Sequence, residues 1–405
     1  MAFAPGDPAL AAAATDSGVY VSQDGGQTWT ASELHGGAWS VAFDASTTPA
    51  TIYAGLQETG AGSGGIRAST DAGVTWSDAS AGLRNRDVRC IVVSPGGFAA
   101  GTDDGVAFST NGKTWYDGGL DGDGISALGA IATPPTTVFY AGIDYPATSS
   151  GYVFQADPSQ SQGWTAITSG LPHGAVVNSI SVGPAPQAGA PGPILLTTSK
   201  GAFRSSNGGK AWTGSLGIGS SYTVTDAAFS PLDPNLVYAG ADAGGSSGGG
   251  LWRSTDGGQT FTSFSQGLPT AHPSGQSAPQ EVESLAVADG RPYPTVLAAL
   301  DPYQADAAIY RQVDPTAPSP SALPSATGPV ATLPGSSANA TVPTAAGAPS
   351  PHSTPTAKPA SPLAAQVLGT LFHFPAPLLF EVLFVLLLVF LWIRWRRHYY
   401  VEGPP

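Results

Sequence analysis

Along residues 1–314, apolar positions come in short runs cut by glycine, aspartate, asparagine and proline. The runs recur in a fixed order. The first is apolar, as in Val41-Ala42-Phe43, Ile91-Val92-Val93 and Leu285-Ala286-Val287. The second ends in Tyr-Ala-Gly or a relative, as in Ile52-Tyr53-Ala54-Gly55, Phe139-Tyr140-Ala141-Gly142 and Val237-Tyr238-Ala239-Gly240. The third opens after a glycine, as in Gly18-Val19-Tyr20-Val21-Ser22, and the fourth starts at an aromatic residue. Runs of three to six residues rich in Val, Ile, Tyr, Phe and Thr, bounded by turn formers, predict strands. First strands place the units near residues 1, 41, 88, 125, 177, 224 and 282, which makes seven. The seventh has Val296–Leu300 and Ala308–Arg311 but no fourth run before Asp314. Either that unit has three strands, or the chain, which opens already inside a strand, leaves a ring unclosed.

Between third and fourth strands lies a repeated polar turn. It reads Ser22-Gln23-Asp24-Gly25-Gly26-Gln27-Thr28-Trp29 and returns as Ser69-Thr70-Asp71-Ala72-Gly73-Val74-Thr75-Trp76 and Ser254-Thr255-Asp256-Gly257-Gly258-Gln259-Thr260-Phe261. Weaker copies are Ser109, Asn111, Thr114 and Trp115, one residue short, and Ser205, Asn207, Gly209 and Trp212, where Ala211 replaces the threonine. The aromatic falls at 29, 76, 115, 164, 212 and 261, in steps of 39 to 49 residues. Such a period points to a propeller or a solenoid. Seven radial sheets close comfortably and hide their edges, whereas a solenoid needs shorter repeats and capped ends, so the fold class expected is an all-β, seven-bladed β-propeller. In each turn the Asp accepts backbone N–H groups, glycine supplies positive φ, and the aromatic plugs the gap between neighbouring sheets.

The pattern Ser-x-Asp-x-Gly-x-Thr-Trp resembles the Asp-box, or BNR repeat, of sialidases, xyloglucan-cleaving glycosidases, sortilin-type receptors and the photosystem II assembly propeller. That resemblance covers residues 1–314. It implies a structural role for the boxes at the blade rim, so Asp24, Asp71 and Asp256 are not expected to be catalytic. A sialidase would also carry an arginine triad and a Tyr–Glu nucleophile, and the Arg-Ile-Pro-type motif ahead of the first box is absent. Xyloglucan-cleaving enzymes normally build their cleft from two propellers.

Charge narrows the partners. Residues 1–314 hold 26 acidic against 11 basic side chains, a balance of −15, which excludes the basic footprint that nucleic acid requires. Glycosidases need a carboxylate pair, yet most acids here sit in turns, and Asp103-Asp104, Asp121 and Asp123 read as solvated turns. Arg204 and Arg253 precede the box serine in equivalent places, which suggests a repeated structural role. Lone Cys90 reads as a core filler. No catalytic residue, cofactor or metal site is expected.

The loops after second strands supply a candidate binding rim: Glu58, Asp144, Tyr145, Asp242, Asp301 and Tyr303, all predicted on one face. A protein or glycan is the expected ligand, and an exo-acting, sialidase-like glycoside hydrolase is the alternative function.

Beyond Asp314 the character changes. Residues 315–362 hold twelve prolines in 48 residues and no acid, a spacer composition. Residues 363–393 are predicted to be a juxtamembrane segment and a transmembrane helix, with Glu381 inside the apolar stretch. Residues 394–405 begin Arg394-Trp395-Arg396-Arg397, a short basic cytoplasmic tail by the positive-inside rule. The propeller is thus expected outside a cell membrane, anchored by a single pass. No export signal opens the sequence, so the start is expected to be internal to a longer product. The competing reading is a tail-anchored protein with a cytoplasmic propeller.

Overall fold

The structure is a computed structural model. It describes residues 1–60, 63–133, 136–144, 152–159, 163–187, 189–219, 222–242, 249–269, 280–290, 292–300 and 309–318. These residues fall within one compact unit, Met1–Gly328. The stalk from residue 319, the apolar segment 363–393 and the tail 394–405 lie outside the described residues. Among the described residues, no helix is long and apolar enough to cross a membrane.

The described strands form six four-stranded antiparallel sheets and one three-stranded sheet, each in sequence order, a seven-bladed β-propeller. Inner strands begin at Ala2, Ala38, Val88, Ile125, Val177, Thr223 and Val282, close to the predicted unit starts. Blade 2 is representative: Ala38–Asp44, Thr51–Leu56, Gly65–Ser69 and Ser77–Asp78. Its second strand is buried at all six positions, because it has a neighbouring sheet on each side. The fourth strand starts one residue after the box aromatic, not on it.

The ring closes. Blade 7's inner strand, Val282–Ala288, packs against blade 1's inner strand, Ala2–Ala4. Met1, Phe3, Ala11 and Trp29 share an apolar cluster with Ala286, Leu297 and Ile309. The expectation of an unclosed ring therefore fails, and the three-stranded explanation holds among the described residues. Apolar packing across the first and last blades supplies the closure.

Packing between blades explains the Tyr-Ala-Gly signature. A Cβ on Gly55 would come within 2.8 Å of Val88 Cγ1, and one on Gly142 within 2.4 Å of Val177 Cγ1. Gly101 and Gly240 meet Ile125 and Val282 in the same way. Each glycine makes room for the first β-branched residue of the next blade's inner strand. Blade 5 differs: Thr197 takes the position, fully buried, its hydroxyl donating to Thr225 O of blade 6 at 3.3 Å.

Candidate functional site

Two faces are distinguishable. Box loops lie with the hairpins joining first and second strands, since Gly25 N donates to Ala9 O and Gly257 N to Asn235 O, each at 2.8 Å. Hairpins joining second and third strands, and the links from one blade to the next, lie on the opposite face.

In box 1, Ser22 Oγ donates to Asp24 Oδ1 at 2.8 Å, the Gln27 and Thr28 amides donate to the same oxygen at 2.9 Å, and Thr28 Oγ1 donates to Oδ2 at 2.6 Å. Asp71 and Asp256 repeat the pattern with Thr75 and Thr260. Bonds from the Thr28 and Thr75 hydroxyls, then from the same threonines' amides, hold both carboxyls down at about 2. Burial pushes Asp256 up, but its bonds to Thr260 and Ser254 outweigh this and leave it lowered. Asn111 and Asn207 accept with Oδ1 in the same place. Each box oxygen is thus consumed by its own loop. A groove of about 480 Å³ between boxes 1 and 2 is lined by Asp24, Thr28 and Val74, with Asp24 spent on its own loop and the exposed Glu33 the other carboxylate there.

Each box also clamps the preceding blade. Trp115 Nε1 donates to Ala79 O of blade 2, Trp164 Nε1 to Gly118 O of blade 3, and Trp212 Nε1 to Ile167 O of blade 4, at 2.6–2.7 Å. Gly26, Gly73 and Gly209 combine positive φ with close approach to Leu297, Val21 and Ile167 of the blade before. Arg204 Nε donates to Gly257 O in the next box at 2.6 Å, and Arg311 Nε to Gly25 O at 2.9 Å. Arg253 holds the same place in blade 6 but meets no box, because blade 7 has none. It donates instead to the fully buried Asp314 (2.8 Å), which also accepts from Tyr238 Oη at 2.7 Å. Burial raises the Asp314 carboxyl, and the Tyr238, Arg253 and Thr316 bonds lower it further still, for a net depression.

On the opposite face, each inner strand of blades 2 to 7 carries a bulge one or two residues after its start, at Trp39, Arg89, Ser126, Asn178, Thr225 and Glu283. A bulge re-aims its side chain, and here six are re-aimed at equivalent points. In blades 5 and 6 they tie the ring: Asn178 Nδ2 donates to Val224 O at 2.8 Å and Thr225 Oγ1 to Val282 O. In blades 2 and 3 they build a charged sector. Trp39, 50 % exposed, donates from Nε1 to Asp87 Oδ1 at 3.0 Å. Arg89 bonds Asp103 and, at 2.5 Å, Asp144 Oδ2 of blade 4. Burial, with repulsion from the adjoining Asp87, pushes the Asp103 carboxyl up despite Arg89. Arg84 pairs with Asp117 and Asp121 nearby.

Of the predicted rim, Asp144 joins this sector, Glu58 lies exposed on the same face in blade 2, and Asp242 ends a second strand in blade 6. Tyr145, Asp301 and Tyr303 lie outside the described residues. Asp121 is the solvated turn residue expected, exposed with Arg84 at 3.5 Å, whereas Asp103, expected to be the same, is half-buried and paired with Arg89. Sequence reasoning missed Trp39, Asp87 and Arg89 as a group. The available signal was an exposed-type residue one or two steps into the inner strands of blades 2 to 7. The Cys90 thiol turns toward Gly101 and Ile125, and burial pushes it up to about 12. Among the described residues, no group of three or more His, Cys, Asp or Glu side chains could hold a metal ion.

No known protein-family model matches the chain, and no curated protein matches it. Solved structures do. The xyloglucanase of Xanthomonas campestris superposes with a TM-score of 0.57 at 16% identity, over 76% of this chain and 53% of its own. The extracellular domain of a putative one-component system of B. thetaiotaomicron gives 0.51 at 13%, over 75% and 36%. YCF48 bound to D1 peptide gives 0.48 at 18%, over 77% and 92%. What the first two share with this chain is the propeller fold. The chain spans about half the length of the xyloglucanase.

Proposed function

We propose that this propeller is an extracytoplasmic binding or scaffolding module, anchored to a membrane by residues 363–393, and that its contact surface is the sector around Trp39 and Arg89. The observation that carries the reading is asymmetry on one face. In blades 5 and 6 the bulged side chains are spent on holding the ring, whereas in blades 2 and 3 they present an exposed indole beside carboxylates. The loops of blades 2 to 4 on that face carry seven acids (Glu58, Asp87, Asp103, Asp104, Asp121, Asp123 and Asp144) against three arginines, Arg84, Arg86 and Arg89. An indole beside hydrogen-bonding carboxylates suits either a sugar face or a protein side chain carrying a donor or a positive charge. Loop-built faces on rigid sheets are where such sites are usually found.

Hydrolysis is the second reading. A glycosidase holds its carboxyls about 5 Å or 6.5–9.5 Å apart with one free to act as acid. Asp87 and Asp103 instead adjoin through the Asp103 amide, which donates to Asp87 O at 3.3 Å, with Asp87 taking the Trp39 indole and Arg89 neutralising Asp103. That arrangement favours binding.

Site-specific photo-crosslinking in intact cells tests the proposal. A crosslinker at position 39 should capture a ligand that one at Thr213, on the outer strand of blade 5, does not, and Asp144→Asn should reduce capture. Equal capture from both positions would sink the site. Protease added to intact cells should release a propeller fragment; protection until lysis would overturn the outward orientation. Fluorogenic glycosides, sialosides included, should not turn over, and turnover abolished by Asp87→Asn would reverse the choice of reading.

A further inference from the structure

Blade 7 ends at its third strand, Ile309–Val313, and among the described residues nothing pairs with that edge. An edge strand offers a row of backbone donors and acceptors to any extended chain that reaches it. The neighbouring blade marks the place. Trp29 Nε1, at the junction of blade 1 with blade 7, is buried and has no hydrogen-bond partner.

The other blades show what such an indole normally meets. In blades 2, 3 and 4 one residue just past the outer strand does two jobs. Ala79, Gly118 and Ile167 each donate their N–H to the third strand, at Ile66 O, Val106 O and Val153 O, and each accepts the next blade's tryptophan on its own carbonyl. Register carries the position across: Ile66, Val106 and Val153 pair with Gly55, Gly101 and Gly142, as Ile309 pairs with Ala299. In blade 7 the corresponding acceptor is Ile309 O, and Ile309 shares its apolar cluster with Trp29. One residue placed between them, donating its N–H to Ile309 O and accepting on its carbonyl, would satisfy both. Two junctions depart from this scheme: Trp76 donates to Gly73 O of its own box, and Phe261 has no donor to place.

We infer that the edge Ile309–Val313 receives an extended segment of a partner polypeptide, added antiparallel as the outer strand of blade 7, with one of its carbonyls on Trp29 Nε1. The segment's chemistry is set by its six counterparts. Their first ladder residue is a hydroxyl residue in every case, Thr30, Ser77, Tyr116, Thr165, Thr213 and Thr262. The second is Ala31, Asp78, Asp117, Ala166, Gly214 or Ser263, small or acidic. The chain's own hairpin route to this edge is taken up otherwise. Where a box would turn back, Asp314 N donates to Pro294 O and its carboxylate is held by Arg253 and Tyr238. Pro318 then lines a groove with Leu232 and Pro292 on the face of the first-to-second-strand hairpins. Strand addition of this kind gains affinity from main-chain bonds and specificity from alternate side chains.

The test uses the full chain labelled at the tryptophan indoles, with a capped peptide copying residues 261–266 as the probe. That sequence already fills the equivalent place in blade 6, where Phe264 N donates to Leu251 O. Adding it should shift the Trp29 indole N–H signal, assigned by its loss in Trp29→Phe, and slow its hydrogen exchange at least about tenfold. Trp29→Phe should weaken the peptide about fivefold, the worth of one net hydrogen bond. A peptide methylated on its fourth amide nitrogen, which cannot donate to Ile309 O, should not bind, and this control leaves the protein untouched. A Trp29 N–H as protected without peptide as that of Trp115 would mean that the chain fills its own edge, and overturns the proposal. So would an unshifted signal at millimolar peptide, or equal binding of the methylated peptide.

Discussion

Blades 1 to 6 and blade 7 solve the same problem with different parts. In the box-bearing blades an eight-residue loop, or a relative of it, closes on a carboxylate or amide and pushes an aromatic against the preceding sheet. Blade 7 has no such loop, and the wedge against blade 6 is Asp314, buried outright and held by Arg253 and Tyr238. The box carboxylates sit at the surface and bond to their own loop. Asp314 has the opposite character: its bonds cross a blade junction, and its charge is out of water. The difference teaches that what the ring requires at each junction is a filled gap and a partner for the arginine or tyrosine behind it, and that the box is one way of meeting the need.

The largest effect should come from the junction without a box. Asp314→Ala leaves Arg253, 20% exposed, beside a void and strips Tyr238 of its acceptor. Breaking a buried pair from one side costs about 3–5 kcal/mol, and urea unfolding should show a loss in this range. Its folded carboxyl is depressed, so its stabilisation is present above the unfolded carboxyl value and drains as pH falls through the folded one. A loss under about 1 kcal/mol would make the blade 6–7 junction no different from an exposed salt bridge.

Next come the inter-blade glycines. Gly142→Ala would drive a Cβ into Val177 Cγ1, and overpacking of this kind costs about 1–3 kcal/mol. Val177→Ala in the same chain should recover part of the loss, so the pair should be strongly non-additive in a double-mutant cycle. Simple additivity would dissociate Gly142 from that contact.

The tryptophans give a finer comparison. Trp212→Phe removes the donor to Ile167 O in a buried place and should cost about 1 kcal/mol beyond the change in ring size. Trp29→Phe removes a donor that has no acceptor and should be neutral or stabilising in the absence of any added strand. Equal losses at both positions would show that ring packing alone matters at these junctions.

Much of the fold was legible because each signal is local and repeated. Unit starts, the third-strand glycines and the box spacing are read from a few adjacent residues, and their repeated copies reinforce one another. The repeated place of Arg204 and Arg253 before the box serine likewise pointed to a shared role, which the next blade's loop and Asp314 supply. The site was less legible. Trp39, Asp87, Arg89, Asp103 and Asp144 come from three blades and both kinds of connection, and no spacing in the chain announces that they meet. Asp314 looked like the end of the repeats because a buried carboxylate and a linker residue read alike until their neighbours are known. Tyr-Ala-Gly was recognised as a strand ending, while the reason for its glycine lies in the next blade, some 35 residues on.

The smallest expected effect concerns the box carboxylates themselves. Asp24 and Asp71 are held at about 2 by bonds from Thr28 and Thr75, so in the folded chain they stay ionised through the range where an unfolded aspartate takes up its proton, near 3.9. A depressed carboxyl stabilises the fold above that range, and the contribution disappears as pH falls toward 2. Asparagine already serves at 111 and 207, where an amide oxygen accepts the same backbone N–H groups. Asp24→Asn should therefore leave the hairpin in place at neutral pH, lose the bond from Thr28 Oγ1 to the second oxygen, and flatten the acid limb of stability between pH 4 and 2. Melting temperatures across that interval for the parent, Asp24→Asn and the double variant with Asp71→Asn would decide it. The slope should fall stepwise with each substitution. An unchanged slope would place the acid sensitivity of the ring outside the first two boxes, among depressed carboxyls such as Asp314 and Asp256, and would leave those two boxes as shape without electrostatics.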